Sequence, residues 1–268
     1  DDIGPDEDSE WGGLVLLGQT YLAYDTEAGV ALVTQQIEGV PGSDATFGGT
    51  NDDDDSGELS YISIRYGGSV LAPSKEINGL SMGAVGRGTT IHHIEVMNNV
   101  DDGFEWFGGT VNSKYLIAWN CGDDGFDSDM GYRGKVQYGL AVKGVCKTGA
   151  TVESGLSHRS MEMDGGDSGD ASLPYALSQW RNLTLIGLDA AGTAYASDDE
   201  GLKIRDNARP QIYHSIIMDQ GDFGAQIEDG LTIDSADGWT TLWDAEPVAS
   251  APAGMYTGQA QGFQTEIA

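Results

Sequence analysis

Apolar residues along this chain fall in short runs, not in the three-to-four spacing of an amphipathic helix. Seven segments read as strands: GGLVLLG (12–18), LSYISIRYGG (59–68), TIHHIEVMN (90–98), KYLIAWN (114–120), VQYGLAV (136–142), NLTLIGL (182–188) and QIYHSIIMD (211–219). They are rich in Ile, Val, Leu, Tyr and Thr, and turns of Gly, Asp and Asn separate them. A second set of shorter strands alternates with these. Each opens on Gly or another small residue, then an apolar one, then a further residue that is usually polar: Gly79-Leu80-Ser81, Gly103-Phe104-Glu105, Gly125-Phe126-Asp127, Ser160-Met161-Glu162, Gly201-Leu202-Lys203 and Gly224-Ala225-Gln226. Their intervals are 24, 22, 35, 41 and 23 residues, and the two long ones contain SGDASLPYALSQ and LDAAGTAYASDD, which read as insertions.

A period near 20 to 25 residues carrying two or three short strands is a solenoid signature. A leucine ladder is missing, and a propeller would need a period nearer forty. A parallel β-helix fits best, with each period one rung and equivalent residues stacked about 4.8 Å apart. The chain then reads as a single all-β domain over 1–268, of roughly ten rungs of about 22–25 residues. Residues 1–10 form an acidic leading segment and 231–268 a less regular cap or tail. Phe104 over Phe126 predicts an inward column, continued by Leu80, Met161 and Leu202. Asn98 over Asn120 predicts an amide ladder at a turn.

Charge narrows the function. Against 43 Asp and Glu stand 13 Lys and Arg, a formal net charge of -30. Such a balance excludes nucleic acid and anionic membranes as natural partners, because both attract basic patches. It favours cations, a salty medium, or plain solubility. No run of eighteen apolar residues offers a transmembrane helix. Cys121 and Cys146 lie about one rung apart, so a disulfide between neighbouring turns and two buried free thiols are both open. Acidity and cysteine use together favour an extracytoplasmic protein.

The acids are not scattered. Asp101-Asp102-Gly103-Phe104-Glu105 returns 22 residues later as Asp123-Asp124-Gly125-Phe126-Asp127. One column is therefore expected to run Ser81, Glu105, Asp127, Glu162, Lys203, Gln226 on the outside, alternating with the inward Phe/Leu/Met column. Stacked carboxylates about 5 Å apart repel by roughly 3 kcal/mol at an effective dielectric near 20, so a companion charge is needed. Ca²⁺ takes six to eight oxygens, and Asp101, Asp102, Glu105, Asp123, Asp124, Asp127 and Asp129 are the candidate ligands. The competing reading has these Asp side chains capping their own turns. The acidic loop NDDDDSGELS (51–60) reads as a solvated turn. Catalysis would draw on Glu105, Asp127 and Glu162, with Lys203 and Arg205 beyond them, as paired carboxylates or as a base beside a cation. Trp106, Tyr132 and Trp119 are candidate sugar platforms, and His158 and Arg159 candidate substrate contacts. His92 and His93 are adjacent in a strand, so one is expected to face inward and a shared metal is disfavoured.

The segments EWGGLVLLGQ, IEGV, GGTNDDDDSGELSYISIRYGG, DDGFEWFGGTV and SIIMDQGDFGAQIED resemble a family of secreted or lipid-anchored β-helix surface proteins of Bacteroidetes and marine Proteobacteria. The resemblance runs from Trp11 to about Gly230. It implies a right-handed parallel β-helix and an extracellular or outer-membrane location, and carries no catalytic residues. A weaker similarity to pectin-degrading β-helix enzymes rests on NVDDGFE and GDDGFD one rung apart, without their following Gly-His-Gly element. The expected function is a surface protein with a structural or binding role, taking Ca²⁺ and a glycan, with end-to-end self-association into a filament as a variant. The alternative is a polysaccharide lyase or glycoside hydrolase acting through the carboxylate column.

Overall fold

The computed structural model describes residues 7–23, 34–40, 42–71, 75–144, 158–166, 172–187, 200–206, 208–220 and 224–227, with a strand at 263–265. One sheet takes a short strand from every rung: β1 (Leu14–Leu17), β5 (Leu80–Gly83), β7 (Phe104–Phe107), β9 (Phe126–Asp129), β11 (Met161–Met163), β14 (Lys203–Ile204) and β16 (Gln226–Ile227). The other stacks β4 (Glu58–Arg65), β6 (Thr90–Met97), β8 (Asn112–Trp119) and β10 (Lys135–Val142). Below β10 come β12 (Gln179–Arg181) and β13 (Thr184–Ile186), then β15 (Gln211–Met218) and β17 (Phe263–Thr265). Pairing is parallel throughout both sheets, so the chain is a parallel β-helix. An antiparallel hairpin, β2 (Gln35–Gln36) with β3 (Thr46–Phe47), stands outside the coil.

Among the described residues the first sheet takes seven rungs, and one turn is much longer than the rest. From Leu14 to its partner Leu80 the chain spends 66 residues on one turn, hairpin included. The intervals read from the sequence below that point hold in the pairing: Leu80 meets Phe104, Phe104 meets Phe126, and Phe126 meets Met161.

Corners are made by residues in the left-handed region, where only glycine is at ease. One column of them is Tyr61, His93, Tyr115, Tyr138, Asn182 and His214, at φ of 50–62°. Each interrupts the alternation of its long strand or lies between the two short ones, so two successive side chains face outward. In β6, Ile91 and Ile94 are both buried while His92 and His93 between them both face outward. This corrects the expectation that one histidine points inward, which assumed an unbroken strand. A second corner column includes Asn98 and Asn120, at φ 53° and 54°, where Asn120 Nδ2 donates to Asn98 Oδ1 at 3.0 Å. The amide ladder is therefore present.

The interior is a continuous apolar stack of Leu80, Phe104, Phe126 and Met161 against Ile94, Leu116, Val136 and Trp180. Trp106 and Tyr132 belong to it, each fully buried, with ring centroids 5.4 Å apart. Neither can stack on a sugar, which corrects their assignment as substrate platforms. Parity explains it: Trp106 shares the inward side of β7 with Phe104. Tyr132 is held by its hydroxyl, which donates to the Val111 carbonyl at 2.9 Å. Trp119 is exposed, but on the other sheet. Cys121 is a buried free thiol whose pKa burial pushes up to about 12. Cys146, the other cysteine of the two readings left open, lies outside the described residues.

Candidate functional site

Two outward columns run down the first sheet. One holds Val15, Ser81, Glu105, Asp127, Glu162, Lys203 and Gln226, in register from rung to rung. The other holds Leu17, Gly83, Phe107 and Asp129, and the backbone bonds of Asp164 and Arg205 continue its line. Both change from apolar to acidic on the way down, and that change decides what covers them. At the top, Val15, Leu17 and Phe107 pack with Ile37, Phe47, Ile77 and Met130 in a second apolar cluster. Phe47 from the hairpin lies flat over Gly83, where a Cβ would come within 2.5–2.9 Å of its ring. Glycine at that position lets the hairpin seat. Lower down, the hairpin rim and the acidic half of the sheet bound a cleft of about 630 Å³, lined by Glu38, Lys75, Asp127, Asp129, Asp164 and Arg205 among others.

Beside the columns, the turn leading into each strand stacks Asn78, Asp102, Asp124, Arg159 and Glu200. Asp102 Oδ1 accepts the Asp124 amide at 2.8 Å, and Asp124 Oδ1 accepts the Arg159 amide at 2.7 Å. Capping by these two carboxylates is between rungs, not within their own turns as the competing reading has it: each ties its own rung to the next. Glu105 accepts from Asn78 Nδ2, which also donates to Ser81 Oγ at 3.2 Å.

Capping leaves the charge unsolved. Ligand oxygens of Asp102, Glu105 and Asp127 lie within 4.8 Å of one another, as do those of Asp124, Asp127 and Glu162. Asp101, Asp102 and Asp123 make a third such group, Asp123, Asp124 and His158 a fourth, and Glu38, Glu76 and Asp101 a fifth. Asp127 is common to two, and its Oδ1 is buried without a hydrogen-bond partner. Burial, reinforced by the neighbouring acids, pushes the carboxyls of Asp102, Glu105, Asp124 and Asp127 well above the ordinary carboxylate range. Glu162 is raised for the same reason, although Arg159 and Arg205 draw it back. Hard cations prefer such a set of oxygens, so these residues fit Ca²⁺.

Arg159, His158 and Arg205 are already committed. Arg159 is buried, with Nη1 2.9 Å from Glu162 and Nε 3.1 Å from Glu200. Burial alone would lower its pKa, but Asp124, Glu162 and Glu200 override that and raise it. Its assignment as a substrate contact is corrected, since it closes an internal ion network. His158, the other expected contact, holds Asp123 Oδ1 through Nδ1 at 2.9 Å on the turn side. Arg205 lines the cleft, but its Nε is 2.7 Å from Asp164 and 3.2 Å from Glu162, and its pKa is raised above the ordinary value. A guanidinium held this way is no proton acceptor. Lys203 stacks directly below Glu162. Asp129, expected among the metal ligands, joins none of the groups above; its carboxylate accepts the Met130 amide and faces the cleft.

Glu38, Lys75, Asn78 and Asp164 were not singled out from the sequence. Asp164 had a signal, lying two residues beyond Glu162 on the same face. Glu38 had none, because only the hairpin's return to the sheet brings it there, where burial raises its pKa. The loop 51–60 proves to be a clasp: Asp52 pairs with Arg133 at 2.6 Å, Asp53 with Arg87 at 2.9 Å, and Asp55 accepts the Gly57 amide.

A family model described as a pectate-lyase-like β-helix domain matches residues 4–246. No curated protein and no solved structure matches the chain.

Proposed function

The chain belongs to the pectate-lyase-like β-helix family, and from that premise we propose a secreted or cell-surface protein that binds Ca²⁺ and, through it, a glycan in the acid-lined cleft. The observation that carries this reading is Asp127: a carboxylate shared by two groups of three, with one buried oxygen lacking any partner. Asp102, Glu105, Asp124, Asp127 and Glu162 would hold the ion. A cation held there would relieve the mutual repulsion, and sugar hydroxyls or a carboxylate in the cleft would complete its shell.

Terbium is a suitable probe, because buried Trp106 and Tyr132 lie on adjoining rungs and can sensitise its emission. Saturable luminescence displaced by Ca²⁺, and lost in Asp127→Asn, is the expected result. A titration showing neither terbium nor calcium binding would sink the proposal. Lys203 beside Glu162 supports a second reading, proton abstraction next to a uronate. It requires unsaturated product, seen by ultraviolet absorbance, from at least one acidic polysaccharide.

A further inference from the structure

Strict alternation along a strand would separate His92 from His93 and forbid a shared ion. The corner in β6 removes that objection. His93 sits at φ 53°, both side chains face outward, and their Nδ1 atoms lie 3.0 Å apart. As neutral imidazoles the two can satisfy that contact only in opposite roles, one Nδ1–H donating to the lone pair of the other.

The rings are held before any ion arrives. His93 lies between two tyrosines, stacked on Tyr61 at a centroid distance of 4.6 Å and tilted over Tyr115 at 4.4 Å. Tyr61 also meets His92 edge-on at 5.6 Å, and the two imidazole planes stand 87° apart. Tyr138 extends the stack beyond Tyr115, at 5.0 Å. Clamping of this kind removes ring freedom in advance and lowers the ordering cost of binding. His92 is the less confined ring. A turn about its Cβ–Cγ bond would bring both lone pairs onto one ion, with the shared Nδ1 proton passing to Nε2 of its own ring.

The separation of the nitrogens selects the metal. With bonds of about 2.0–2.1 Å to imidazole, nitrogens 3.0 Å apart subtend about 94° at the ion. That is close to the right angle between neighbouring positions of a square-planar or tetragonal ion. A tetrahedral ion such as Zn²⁺ would want the nitrogens about 3.3 Å apart at the same bond length. Tetragonal nitrogen sites suit Cu²⁺ and Ni²⁺, and Cu²⁺ leads the affinity order of the divalent first-row metals. Ser60, beside His92 on the neighbouring rung, donates to Glu58 Oε1 at 3.3 Å and so ties one acid to this row. Lys114, on the rung on the other side, is engaged with the Tyr115 ring, its Nζ 5.8 Å from the centroid. The whole-chain charge of -30 draws cations to the surface generally.

We propose that His92 and His93 form a Cu²⁺ site on the outside of the coil, with the two Nδ1 atoms as neighbouring ligands and water in the remaining positions. It offers nitrogen where the acid cleft offers oxygen, lies on the other sheet, and does not depend on the cleft being occupied.

The test is titration of the full chain with Cu²⁺ in excess Ca²⁺, read by calorimetry and by electron paramagnetic resonance. The expected result is a tetragonal spectrum with nitrogen hyperfine structure, and affinity in the order Cu²⁺, Ni²⁺, Zn²⁺. His92→Gln and His93→Gln should each weaken copper binding about tenfold or more. His92→Gln leaves the Tyr61–His93–Tyr115 stack in place, so its loss of binding would not reflect a collapsed corner. His214→Gln, four rungs along the same corner column, should bind as wild type. The proposal is overturned if no copper binds, if the spectrum shows oxygen ligands alone, or if Zn²⁺ binds more tightly than Cu²⁺. It is equally overturned if His92→Gln or His93→Gln binds undiminished, or if His214→Gln loses the site.

Discussion

Asp127→Asn should make the metal-free protein more stable, although it alters a half-buried acid at the centre of the candidate site. Two acid groups meet at this residue, with oxygens within 4.8 Å of one another. At that separation a pair of full charges repels by about 3.5 kcal/mol at an effective dielectric near 20. Shared protons already relieve part of this, so a net gain of about 2 kcal/mol is expected, or about 4–8 °C in Tm for a domain of this size. The pH dependence follows from the direction of the shifts. Asp102, Glu105, Asp124 and Asp127 have folded pKa values raised by burial, so the folded state holds protons that the unfolded chain has released. Their stabilising contribution is complete below the unfolded carboxylate pKa near 4 and is lost as pH rises through the raised folded values. Wild type in chelator should therefore melt lower at about pH 8 than at about pH 5, and Asp127→Asn should lose less over that range. Adding Ca²⁺ should raise the wild-type Tm most at the higher pH and leave the variant nearly unmoved. Thermal unfolding followed by circular dichroism reads all of these. A variant that melts below wild type in chelator at the higher pH, or keeps the full calcium shift, would refute the reasoning.

Three further outcomes bear on the surroundings of the site. Arg159→Ala leaves Asp124, Glu162 and Glu200 without their buried partner, and should cost about 3–5 kcal/mol in urea unfolding near neutral pH; protonating the acids should recover part of the loss. Gly83→Ala drives a methyl into the Phe47 ring and should cost about 1–3 kcal/mol; Phe47→Leu in the same chain should recover some of it, and equal stabilities for all three proteins would remove the hairpin latch. In a Cys146→Ser background, native Cys121 should resist thiol reagents and react only on unfolding, because it is buried with its pKa pushed up to about 12; rapid native labelling would contradict its placement.

The coil was legible because its unit is short and repeats in register. The column from Ser81 to Gln226 could be written down from spacing alone, since each member follows an apolar residue that has to point inward. The Asn98–Asn120 ladder was visible for the same reason. Trp106 was misjudged by chemistry over parity: its place two after Phe104 already put it inside. Arg159 was misjudged because spacing marks the column but not the depth at which a side chain sits. His92 and His93 could not be read as a pair, since the left-handed corner at His93 breaks the alternation on which such readings rest. The hairpin was hidden altogether. Its landing place depends on Phe47 finding Gly83, a contact between residues with no periodic relation.

The strands of the first sheet carry Glu105, Asp127, Asp129 and Glu162 against Lys203. Those of the second carry Glu58 and Glu95 against Arg65, Lys114, Lys135 and Arg181, so the coil has an electric moment from one sheet to the other. In a uniform medium that has little effect. Beside a charged boundary the resulting torque would favour one orientation of the coil, with the acidic sheet turned towards whichever side is richer in cations.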